Sequence, residues 1–94
     1  MYEVYVGDVG TEVSLNCGVD ISTATVRKIL VQKPNTTAVV EWSAMADGAN
    51  SIRYLTTTGD LDVAGTYLLQ PYVELPGWSG KGETVELFVR PAFG

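Results

Sequence analysis

Hydrophobic residues along this chain recur with a period of two, not with a helical period. Residues 11–17 show the clearest case: Val13, Leu15 and Cys17 fall on one side, and Glu12, Ser14 and Asn16 on the other. That alternation predicts a half-buried strand. Similar segments occupy residues 2–6, 25–33, 38–45, 51–57, 66–75 and 83–90. Turn-forming residues separate them, including Gly7-Asp8-Val9-Gly10, Asp47-Gly48-Ala49-Asn50 and Thr58-Gly59-Asp60-Leu61-Asp62. The reading is all-β, with about seven short, mostly antiparallel strands in a sandwich or small barrel. Residues 66–75 form the longest segment, with Tyr67, Leu69, Pro71, Val73 and Leu75 on one face. Pro71 has no N–H to give a ladder, so this strand needs a bulge or an edge there. Residues 76–82 read as a glycine-rich hairpin loop with Trp78 at its tip.

Residues 60–70 sharpen the architecture. An acidic turn, a glycine hinge at Gly65 and a tyrosine at the start of the next strand describe the corner that closes an immunoglobulin-like β-sandwich. Tyr67 is then a corner lock whose hydroxyl bonds nearby backbone. Trp42 continues the face of Val40 and Ala44, which points it into the sandwich interior. Residues 1–94 are expected to form a single domain, with no linker, repeat or low-complexity tract.

Composition narrows the partners. Hydrophobic residues make up 46% and charged residues 18%, more apolar than an average soluble domain. Either some apolar surface is covered by another chain, or the core is dense and alanines are scattered outside it. The net charge of −5, with no basic run, repels phosphate and argues against nucleic acid and anionic membranes as partners. The first residues carry no signal-peptide pattern and no apolar run approaches transmembrane length, so the expectation is a soluble protein made in a cytoplasm. The single cysteine, Cys17, cannot form an internal disulfide.

Candidate chemistry is sparse. With no histidine, the commonest general base and the usual triads are missing. Asp60 and Asp62, with Asp47 and Asn50, could serve as paired carboxylates or calcium ligands. Aspartate in turns more often bonds local N–H groups, and that is the reading adopted. Cys17 lies on an apolar strand face, as a structural thiol does. Asn35-Thr36-Thr37 matches a glycosylation pattern that has no use without a secretory route. No catalytic residue, metal or cofactor is expected. Trp78 is read as an interface anchor, the alternative being that it folds back to cap one end of the sandwich; Tyr72 is an aromatic contact, and Phe93 is either a plug for the sandwich end or a grip on a neighbour.

Four stretches together resemble a bacteriophage family. They are Asp20-Ile21-Ser22-Thr23-Ala24-Thr25-Val26-Arg27, Val31-Gln32-Lys33-Pro34-Asn35-Thr36-Thr37, Asp62-Val63-Ala64-Gly65-Thr66-Tyr67-Leu68-Leu69-Gln70, and Val73-Glu74-Leu75-Pro76-Gly77-Trp78-Ser79-Gly80. In order and spacing they look like the immunoglobulin-like N-terminal domain of phage baseplate upper proteins and similar small standalone phage structural proteins, over residues 4–90. The family commonly has Gly at Thr23 and a Pro-Asp-Gly turn at Pro34-Asn35-Thr36, departures that touch turns and not core positions. The resemblance implies a non-catalytic virion component, an adaptor of the tail or baseplate–fibre region that binds other phage structural proteins in multiple copies. A capsid decoration protein, or a host-receptor or carbohydrate-binding module with Trp78 and Tyr72 as stacking residues, are the alternatives.

Overall fold

The computed structural model describes residues 4–91. These residues form nine strands and no helix: β1 (Val4–Tyr5), β2 (Glu12–Asn16), β3 (Val26–Gln32), β4 (Val39–Ser43), β5 (Met45–Asp47), β6 (Ser51–Leu55), β7 (Gly65–Leu75), β8 (Trp78–Lys81) and β9 (Val85–Arg90). The larger sheet runs β1-β9-β7-β3-β4, with β8 also paired to β7. The smaller runs β2-β6-β5. All ladders are antiparallel except β1 on β9.

The two sheets share one core, so the fold is all-β and β-sandwich-like. Alternation decides which residues enter that core, because successive side chains point to opposite faces. Val13 and Leu15 come from β2, Ile29 and Val31 from β3, Ile52 from β6, Tyr67, Leu69 and Val73 from β7, and Val89 from β9. Trp42 on β4 stacks across the sheets on Tyr54 of β6, with ring centroids 4.8 Å apart and planes 20° from parallel. Its indole N–H finds no acceptor among the described residues.

Each of the seven predicted segments contains a strand among the described residues, and two further strands arise from what the sequence hid. The 38–45 segment breaks at Ala44, where the chain leaves the larger sheet as β4 and enters the smaller one as β5. The predicted 76–82 loop is mostly strand: only Pro76 and Gly77 turn, and β8 pairs back on β7 with Leu75 opposite Trp78. Trp78 is therefore the first residue of a strand and not a loop tip. Proline followed by Gly77 at φ 80° suits a tight turn, so the reversal is complete in two residues and the remaining glycines are free to pair.

Pro71 has the bulge its missing N–H requires. β8 ends with Lys81 opposite Tyr72, and β9 starts with Val85 opposite Leu69. Gly82, Glu83 and Thr84 thus stand against only Gln70 and Pro71, which is one extra residue. The bulge is held by Gly82 N–H to Pro71 O at 3.0 Å and by the Gln70 side-chain amide to Gly82 O at 2.9 Å. Across it, β8 and β9 act as one long partner for β7. The face changes phase there, so Trp78 and Gly80 share the inner side with Val85, Leu87 and Val89.

Candidate functional site

The 60–70 stretch is held by local hydrogen bonds and one ion pair. Asp60 Oδ2 accepts from the Thr57 backbone N–H at 2.7 Å, the Thr57 hydroxyl at 3.0 Å and the Tyr54 hydroxyl at 2.6 Å. Asp62 instead pairs with Lys33 Nζ at 2.7 Å. That ammonium donor holds the Asp62 carboxyl below the usual carboxylate range. Asp47 takes the Ser14 hydroxyl at 2.9 Å, and Asn50 offers its backbone carbonyl to the Cys17 N–H. The four side chains do not converge, and no cluster of three metal-ligating residues exists among the described residues. The aspartates tie turns to strands.

Tyr67 is fully buried, and its hydroxyl closes a local ring. It donates to Val63 O at 2.7 Å and accepts from Val63 N–H at 3.1 Å. This is the corner lock expected from the sequence. Burial pushes the phenol pKa up, as it does for Tyr54. Cys17 is buried too, and desolvation raises its thiol pKa, the reverse of what a nucleophile needs.

What remains is surface. Trp78 is 48% exposed. Its indole lies on Gly80 two residues along the same face; a Cβ at Gly80 would stand 2.5 Å from the indole ring. Glycine is what lets the ring lie flat on the strand while its other face meets solvent. Tyr72 lies on the opposite face of the same hairpin. It is paired with Lys81 across the strands, and its hydroxyl donates to Glu74 at 2.9 Å. The fold therefore separates Trp78 from Tyr72, and the two do not make one platform. Phe93 falls outside the described residues.

A second surface was not foreseen. The outer face of the larger sheet carries Leu68 and the more exposed Val39 and Phe88, at 60% and 56%. Leu30, Val39 and Leu68 line a shallow depression of about 190 Å³ there, rimmed by Gln32, Gln70 and Lys81. The signal was present in the pattern. Leu68 and Phe88 are out of phase with the inward sets Tyr67–Leu69 and Leu87–Val89, so each is apolar where a half-buried strand should be polar. A larger open groove of about 610 Å³ runs between Asn16-Cys17-Gly18 and the bulge, with Lys81 and Glu83 among its lining residues.

No family model matches the chain, and neither the curated proteins nor the solved structures contain a match to it.

Proposed function

We propose that this chain is a bacteriophage virion structural protein, an immunoglobulin-like adaptor of the tail or baseplate–fibre region that binds other virion proteins without catalysis. The reading starts from the family resemblance of residues 4–90. The corner lock at Tyr67 supports its fold component, since that device belongs to immunoglobulin-like sandwiches. The observation that carries the function is Trp78: a large aromatic, half in solvent, laid flat on a glycine strand. Exposed, rigid aromatic area of this kind is what interface hot spots are made of.

The test is to locate the protein on purified phage particles by mass spectrometry and antibody labelling. A few copies at the tail tip or baseplate are expected. Labelling spread over the head at capsomer-scale occupancy would replace the adaptor reading with capsid decoration. Absence from particles would overturn both. Trp78→Ala particles that assemble normally but no longer adsorb would favour the receptor-binding alternative.

A further inference from the structure

We propose that copies of this chain join head to tail through free edges on opposite sides of the larger sheet, with β4 of one copy pairing antiparallel to β8 of the next. This inference does not depend on where the protein works.

Among the described residues, β4 pairs only with β3, and β8 pairs only with β7. The strand directions are compatible. β4 and β7 both run opposite to β3, and β8 runs opposite to β7. Two copies set side by side in the same orientation therefore bring β4 and β8 together antiparallel, with the outer faces of both sheets on one side.

The backbone groups also match. Ala44 N–H bonds Arg27 O in β3, so by alternation Trp42 and Val40 also point their backbone groups inward. Val39, Glu41 and Ser43 point theirs to the free edge. Gly82 N–H bonds Pro71 O, so Gly80 and Trp78 point toward β7, leaving Ser79 and Lys81 to face outward. An antiparallel ladder needs outward residues opposite outward residues, and the charges select the register. Setting Glu41 opposite Lys81 of the next copy also sets Ser43 opposite Ser79 and Trp42 opposite Gly80, whose inner side the Trp78 indole already covers.

Glu41 already takes Lys28 Nζ at 3.0 Å on one oxygen. Lys81 is exposed and pairs with no carboxylate among the described residues. The joint would place Glu41 between two ammonium groups. A two-fold pairing of β4 with another β4 instead brings the two Glu41 carboxylates opposite or diagonal to each other, with no added cation. Like charges in those positions are unfavourable. Apart from the Glu41 charge, β4 has no edge protection: it has no proline or bulge, and Val39 and Val40 are exposed on opposite faces. Head-to-tail contacts of this kind close into rings or continue as filaments.

Sedimentation velocity on the full chain across a concentration range should show reversible association. Lys81→Glu leaves the Lys28–Glu41 pair intact and should weaken association by about tenfold, with Glu41→Lys doing the same and the double reversal restoring it. For a geometric readout, Ser43→Cys and Ser79→Cys preparations are mixed under mild oxidation. A crosslinked dimer should form in the mixture and in neither preparation alone. Monomer at every concentration, or Ser43→Cys crosslinking to itself, would overturn the proposal.

Discussion

At the scale of single residues, polar groups act here by closing short loops of chain. Tyr67 satisfies both backbone groups of Val63 from inside the core. Tyr67→Phe keeps the ring but orphans both, so it should lower stability by about 1–2 kcal/mol in urea unfolding. An unchanged midpoint would mean that water replaces the hydroxyl at no cost. Trp78 behaves in the opposite way. Trp78→Ala removes surface already half in solvent and should cost less than about 1 kcal/mol in the isolated chain. Gly80→Ala should lift the indole off the strand, shifting its fluorescence to longer wavelength while the melting temperature barely moves. Trp42, buried against Tyr54, supplies the constant blue component of the same spectrum. Cys17 should resist a thiol reagent in the native protein and react on unfolding, because the thiol is buried and its pKa raised.

Among the elements, β7 organises the molecule. It is the central strand on which β3, β8 and β9 all pair, and its alternation was plain in the sequence. Its start is tightly built: Gly65 has φ 131°, and a Cβ there would come within 2.8 Å of the Pro34 ring. Gly65→Ala should therefore cost about 1–3 kcal/mol through strain and displacement of the 33–38 turn, measurable as a lower melting temperature. The strands that sequence reading missed share one cause. β8 is the four residues Trp-Ser-Gly-Lys, too short to announce itself by alternation, and it exists because β7 presents an edge beside a two-residue turn. β5 continues the β4 pattern, and only the competition between two sheets for pairing decides that the chain changes layer at Ala44. Local pattern describes a strand's faces. It does not name its neighbours.

For the whole molecule, acid and base act on different groups. Asp62 and Asp20 titrate below their ordinary value of 3.8 in the folded chain, the first chiefly through the Lys33 hydrogen bond and the second through the Ser22 backbone N–H. Their contribution is present above that value and is lost as pH falls through the lowered pKa. Both groups are exposed, so the loss is shallow. Tyr54 and Tyr67 titrate above their ordinary value of 10.0 because burial disfavours the phenolate. Their neutral forms support the fold below that value, and this support is lost as pH rises through the raised pKa. Urea midpoints should therefore be flat through the neutral range, fall gently below the carboxylate range and fall more steeply above pH 10. Tyr67→Phe should reduce the alkaline slope.

The sequence by itself determined the all-β class, the inward faces of the main strands, the corner at Tyr67 and the need for a bulge or an edge at Pro71. Each of these depends on side-chain period or on the covalent limits of one residue, and both are local. Tertiary structure decided the rest. It set Trp78 on Gly80, put Tyr72 on the opposite face, and left Phe88, Leu68 and Val39 in the open. It also left β4 and β8 as free edges. Strand order and neighbour choice are settled by long-range pairing and shared burial, which no stretch of a few residues can encode alone.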